Sequence, residues 1–273
     1  KGTPSLQMIR SLWFWKLYYH VDGFHLLGDG VQQDVIERDP ILYGTKKLFS
    51  NVSGEADAEN MLAEYNAGFM LDMRRFLKSD EGMISGAEFH VRRNTGNFGT
   101  VNYMATQDGF TLYDTVSYNY RHNEANGEDN RDGSEFNYSW NCGVEGSTRK
   151  TAVRRMREQQ MRNAFLMLLL SQGTPMIYGG DEFANSQAGN NNVWCQDNPT
   201  GWTDWKNARR HTGLSSFVKE AIAFRKNHPI LHMPKEMRGV DYMAKGFPDV
   251  SVHGARPWQP EDTPESHYVG MMY

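Results

Sequence analysis

Cysteine is scarce. The 273 residues contain two, Cys142 and Cys195. Two thiols exclude a disulfide-built scaffold, and no CxxC spacing suggests a zinc site. The safer reading is a pair of free thiols, and the question of whether they pair stays open. Long apolar runs are also missing. The longest, around Ala164–Leu170, falls far short of the roughly 20 residues that a bilayer-spanning helix needs. No GxGxxG follows an apolar run, so the fingerprint of a dinucleotide fold is absent. Charge of neither sign dominates: 29 Lys and Arg stand against 33 Asp and Glu, a net of −4. Nothing in that balance calls for nucleic acid or an anionic membrane as a partner. No leader-like segment opens the chain, and a cytoplasmic setting is the expectation. Internal repeats and low-complexity tracts are lacking too.

What is present is core material and aromatics. Hydrophobic residues make up 39% of the chain, enough for a sizeable core at this length. Aromatics reach 12%, with seven Trp. Rings of this kind pack cores, and they also stack on the CH faces of sugars. Composition alone leaves both readings open.

Periodicity predicts helices over Pro4–His20, Ala67–Leu77, Arg154–Ser171 and Leu214–Asn227. Thr3 is the expected N-cap of the first, with Pro4 at its first helical position. Short apolar runs at Val21–Leu27, Lys47–Asn51, Thr100–Thr106 and Pro175–Tyr178 read as buried strands. Strands alternating with helices predict a parallel α/β architecture of barrel-like succession. Two long polar loops, Tyr118–Gly146 and Asp181–Trp205, interrupt it, and loops of that length in a compact domain are usually functional. After Gly239 the pattern changes to short strand-like pieces punctuated by Gly, Pro and His. The expected division is therefore residues 1–238 and a β-rich region over 239–273.

Three segments carry a resemblance. Residues 101–112 with 118–146 read VNYMATQDGFTL and YNYRHNEANGEDNRDGSEFNYSWNCGVEG. Residues 172–205 read QGTPMIYGGDEFANSQAGNNNVWCQDNPTGWTDW, and residues 247–256 read FPDVSVHGAR. Together they resemble the isoamylase and glycogen-debranching branch of the α-amylase superfamily. The resemblance runs from about Leu6 to about Tyr268. It implies the C-terminal part of a (β/α)8 TIM barrel, about strands four to eight, followed by the start of an antiparallel β domain. It also implies that the first three barrel strands lie outside this sequence, which leaves two open strand edges. The implied activity is cleavage of α-1,6 branch points in glycogen or starch with retention, at the carboxyl ends of the strands. No cofactor or metal is implied.

Residue by residue, the resemblance exposes losses. The family's strand Asp-Gly-Phe-Arg-Phe-Asp falls on Asp22 to Leu27, so Leu27 occupies the nucleophile position and His25 that of the supporting arginine. The general acid position falls on Asn51, whose carboxamide hydrogen-bonds but gives no proton at neutral pH. The family's His-Asp pair is here Gln107-Asp108, which makes Asp108 the one retained carboxylate of the trio. Loop carboxylates at Asp29, Glu55 and Asp57 are candidate substitutes, weighed against ordinary solvated loop acids. The resemblance further implies a substrate cleft walled by the two loops. Its candidate sugar contacts are His25, Gln107, Asp108, His122, Asp181, Glu182, Trp194 and Asp197. For His122-Asn123-Glu124, Glu128–Asp132 and Asp181-Glu182 the alternative is plain solvation; for Trp194 and Trp202 it is a buried loop anchor.

Three functions stay open on these residues. The leading one is a debranching-enzyme homologue impaired in catalysis, acting in α-glucan binding or as a partner subunit beside an active debranching enzyme. The second is a working α-1,6-glucan hydrolase with a non-standard site. The third is a degenerate fragment. Four strand residues, Leu26, Leu48, Met104 and Ile177, are expected in adjacent or near-adjacent parallel strands, with Leu27, Asn51, Gln107 and Asp108 converging beyond them.

Overall fold

The computed structural model describes residues 6–28, 31–52 and 61–273. The expected cap Thr3-Pro4 and the acids Asp29, Glu55 and Asp57 lie outside the described residues.

Helix α1 (Leu6–Tyr19) leads into β1 (Gly23–Leu26), α2 (Gln33–Glu37) and β2 (Lys46–Phe49). Then follow β3 (Leu62–Asn66), α3 (Ala67–Leu77), α4 (Ile84–Arg92), β4 (Gly99–Tyr103) and α5 (Leu112–Thr115). The long α6 (Thr151–Leu170) precedes β5 (Thr174–Met176), and α7 (Trp205–Arg210) precedes α8 (Thr212–Asn227). Strands β1 to β5 form one sheet in chain order, every pair parallel. Parallel neighbours require crossovers, and among the described residues the helices α2, α3 with α4, and α6 lie in them. Leu26 and Leu48 lie in β1 and β2, while Met104 and Ile177 each sit one residue past the end of β4 and β5. β1 and β5 are the two edges of an open sheet.

Side chains alternate across this sheet as the pleat requires. Leu26, Phe49 and Leu62 face outward onto Ile9, Leu12, Ile36 and Leu42, and form a core beneath α1 and α2. Tyr65, Val101 and Tyr103 face the other way, with Leu48, Ala63 and Met176 beside them. The largest core joins α3, α6 and α8 through Phe69, Met73, Phe165, Leu168, Leu214 and Val218. Polar groups set the register where the strands end. Asn66 donates to Asn102 Oδ1 at 2.8 Å, and Asn102 donates to Gln172 O at 2.9 Å. Asn66 also caps α3 by accepting from the Phe69 amide at 3.2 Å. Arg225 of α8 donates to the carbonyls of Leu169, in the last turn of α6, and of Ser171 and Gly173 in the turn that follows. At that turn Gly173 has φ +79, and a Cβ there would meet Thr100 O at 2.8 Å, so only glycine fits.

Periodicity did not predict β3, α4 or the short helices α2, α5 and α7. β3 reads Leu-Ala-Glu-Tyr-Asn, with no β-branched residue and two polar outward positions, because Glu64 is paired to Arg93 and Asn66 to Asn102. α4 begins without a side-chain cap and carries Gly86 in its body, so its sequence signal is weak. After residue 239 the chain leaves the parallel layer. β6 (Ser251–His253) and β7 (Gly270–Met272) pair antiparallel as a separate two-stranded sheet. Among the described residues no helix is long and apolar enough to cross a membrane.

Candidate functional site

Because the five strands are parallel, the residues that follow them share one end of the sheet. Leu27 comes directly after β1 and is 60% exposed. Asn51, just past β2, is exposed and lines a cavity of about 560 Å³ with Phe49, Gly28, Gln32, Gln33 and Asp34. Gln107 and Asp108 lie past β4 and are exposed, with the Asp108 amide held at 2.9 Å by Thr106 Oγ1. Behind them three rings lie in a row across the inner face, His25 tilted against Tyr65 and Tyr65 stacked on Tyr103. His25 lies 4.0 Å from Tyr65, and Tyr65 lies 4.3 Å from Tyr103, centroid to centroid. Burial pushes the Tyr65 phenol up to about 12, with the Asp108 carboxylate adding to the same effect. Burial likewise pulls His25 down from its ordinary 6.5, so its ring is neutral near pH 7. Its Nε2 is buried with no hydrogen-bond partner. The position that the resemblance assigns to a supporting arginine thus carries an uncharged ring tilted against Tyr65. Tyr65 was not among the sequence candidates because β3 itself had no signal.

The two long loops are clasped by asparagine amides. Asn123 and Asn191 exchange hydrogen bonds, Nδ2 to Oδ1 at 2.8 Å and amide N to Oδ1 at 3.0 Å. Asn191 Nδ2 also donates to Asn137 Oδ1 and to Ser134 O. Asn190 donates to Asn126 at 2.7 Å, and Asn192 to Asp132 at 2.8 Å. Gly133, at φ +72, passes so close that a Cβ would lie 2.2 Å from Asn191 Oδ1. Asn123, Asn137, Asn190 and Asn191 are all buried, so removing one partner strands others. Asn191→Ala should therefore cost about 2–3 kcal/mol in chemical denaturation. A loss below about 0.5 kcal/mol would mean that the clasp carries no stability. The run Asn190-Asn191-Asn192 is visible in the sequence, but its partners across the chain are not.

His122 belongs to the first of these loops. Its Nε2 meets Glu145 at 3.2 Å, and its ring stands edge-on to Tyr118 at 5.3 Å. Trp194 is 83% exposed and Trp202 55%. The buried-anchor alternative for these two rings is thereby corrected: both lie at the surface. Trp202 Nε1 donates to Asp197 Oδ1 at 3.0 Å. Cys142 is buried and Cys195 exposed, and both are free.

A glycogen operon protein GlgX homolog of Mycobacterium tuberculosis is 35% identical over 266 residues, covering 86% of this chain and 36% of its own. Isoamylase 1, chloroplastic, of Arabidopsis thaliana is 38% identical over 208 residues, covering 70% and 26%. The chain belongs to the isoamylase and glycogen-debranching branch of the α-amylase superfamily. No protein-family model matches it. Among solved structures, a type I pullulanase from Bacillus subtilis complexed with maltose superposes with TM-score 0.58 at 17% identity, over 83% of this chain and 33% of that one. That likeness concerns the fold. The debranching-family chain spans about a third of the length of the curated relatives it matches.

Within this debranching-family chain, Asp181 is not an open cleft residue. It is 3% exposed, and its Oδ1 accepts from the Leu112 amide at 2.9 Å. Glu182 is half-buried and accepts from the Gly180 amide at 2.9 Å. Both carboxylates serve backbone amides, Glu182 within its own turn and Asp181 at the start of α5. Burial raises Asp181 from 3.8 to about 7, against the lowering effects of the Leu112 amide and Arg74. It raises Asp114 to about 6, although Ser186 and Gln187 donate to it. An acid whose folded pKa stands above its unfolded one contributes stability that is full below the unfolded value and lost as pH rises through the folded value. Stability should therefore fall between pH 3.8 and about 7 on account of Asp181. Asp181→Asn keeps the acceptor for Leu112 and removes the titration. Denaturation midpoints at several pH values should show a shallower decline for the variant, and an equal slope would refute the assignment.

Proposed function

We propose that this chain is part of a debranching-family protein that binds α-glucan without hydrolysing it. In this reading residues 1–238 are about strands four to eight of a (β/α)8 barrel, and residues 239–273 begin a β domain. Strands from elsewhere in the polypeptide close the open edges at β1 and β5. The observation that carries the proposal is Leu27 at the carboxyl end of β1, where the resemblance assigns the nucleophile. An alkyl side chain has no lone pair with which to form a glycosyl-enzyme bond. Retaining hydrolysis needs a carboxylate and a carboxylic acid roughly 5 Å apart. Asn51 supplies no proton, and Asp108 alone cannot act as both groups. The neutral His25 supports the same conclusion, since no ionised nucleophile is left for a cation to stabilise.

Binding rests on other groups. The exposed rings Trp194 and Trp202, the side chains of His122 and Asp197, and the pair Gln107-Asp108 offer stacking and hydrogen bonds to sugar hydroxyls. Pullulanases of this fold are known complexed with maltotriose and maltotetraose. An active debranching-enzyme subunit is the partner for which such a binder would be suited. Affinity electrophoresis on glycogen, paired with a reducing-end assay, tests both halves: retention without product is the expected result, and turnover by the unmodified protein removes the reading.

A further inference from the structure

We propose that a second site, for a compact phosphomonoester or inorganic phosphate, lies between the start of α6 and the α7–α8 junction. A cavity of about 320 Å³ is lined there by Arg154, Arg155, Arg157, Glu158, Arg210 and His211, with Tyr113 and Met161 as its apolar floor. Its lining includes none of Leu27, Asn51 and Asp108.

Four observations converge. First, α6 is 20 residues long, yet it begins with no side-chain cap and no acidic residue in its first turn. The positive end of a helix dipole normally meets Asp or Glu. Here it meets Arg154 and Arg155, an arrangement that costs free energy unless an anion is bound. Second, Arg154, Arg155 and Arg210 are exposed and have no salt-bridge partner among the described residues. Glu158, the single acid in the lining, is already paired to Arg162 at 2.7 Å. Third, Arg157 is 1% exposed and donates to the carbonyls of Gly146, Ser117, Asn141 and Val144, while its Nε is buried without an acceptor. Those bonds lock its position in the wall. Fourth, His211 is held below its ordinary pKa by burial and by the charges of Arg154 and Arg210, with Glu158 opposing. Basic groups on both sides of the cavity thus already act on one another through it.

Guanidinium forks match tetrahedral oxyanions bidentately, and several around one cavity select a dianion over a halide. A small sugar phosphate or inorganic phosphate would meet the same chemistry.

The test uses the full-length polypeptide, with inorganic phosphate and glucose 6-phosphate titrated separately by calorimetry against chloride at matched ionic strength. Saturable binding of either phosphate, absent with chloride, is expected. Tighter binding of the sugar phosphate would assign the floor of Tyr113 and Met161 to the sugar. Equal affinity would assign the site to the phosphate group alone. The bound dianion should raise the His211 pKa, read from its imidazole resonances. Arg154→Ala with Arg210→Ala should weaken binding at least about tenfold, and both side chains are exposed, so the fold should survive. Arg154→Glu supplies the missing anion from within: it should stabilise the phosphate-free protein and abolish the phosphate response. Identical responses to phosphate and chloride, or full binding by the double variant, would overturn the proposal.

Discussion

Purified full-length protein carrying this chain should release no reducing ends from glycogen above the uncatalysed background. On the proposed reading, both chemical roles are lost together. Leu27 cannot attack the anomeric carbon, and Asn51 cannot protonate the departing oxygen. Water does not replace them, since it would need a base for activation and an acid for departure, and Asp108 is one group. In sites whose members act as a unit, loss of one removes most of the rate, so a double loss leaves little to measure. Leu27→Asp with Asn51→Glu returns a carboxylate to each position and should give turnover above that of the unmodified protein. The decisive opposite result is turnover by the unmodified protein that disappears in Asp108→Ala. Binding should survive, because it draws on loop rings and hydrogen bonds. Its affinity should be weak, roughly millimolar to tens of micromolar, as for a shallow polar cleft that gains only a few kcal/mol.

Arg74→Met should unfold the protein more readily than any surface substitution, at a cost of about 3–5 kcal/mol. Arg74 lies on α3, is 3% exposed, and donates to three carbonyls from separate segments: Met104 at 2.7 Å, Asn137 at 3.0 Å and Phe110 at 3.2 Å. Burial lowers it to about 10, with Asp181 and Tyr103 opposing, so it stays charged at neutral pH. Met has a similar shape and no donors. The three carbonyls would be left unsatisfied in the core, and Asp181 would lose the nearby cation that favours its ionised form. Asp181→Asn in the same background should recover part of the loss, because the stranded carboxylate is then gone. Denaturation with urea measures both. A cost below about 1 kcal/mol for Arg74→Met would show that the carbonyls find other donors.

Four of the five parallel strands were legible in the sequence because each is a short apolar run bounded by Gly, Pro or polar residues. The long helices were legible through their period, α3 at the observed bounds and α6 within a turn at its start. The family was legible in the two loops, where residue identity matters beyond residue class. Leu27 and Asn51 were read as the last residues of their strands, and the structure ends those strands at Leu26 and Phe49. Tertiary structure decided what pairs. β3 became a strand because parallel neighbours on both sides satisfy its backbone and Arg93 covers Glu64, neither of which five residues can announce. His25 became a neutral ring tilted against Tyr65, which arrives from a strand that had no signal. Asp181 is turned inward by one backbone amide, at Leu112, far away in sequence. The asparagines of the two loops, the three carbonyls on Arg74 and Arg157 of α6 are likewise held by partners distant along the chain. Local propensity acts over a few residues, whereas burial makes distant polar groups find one another or remain unsatisfied at a cost.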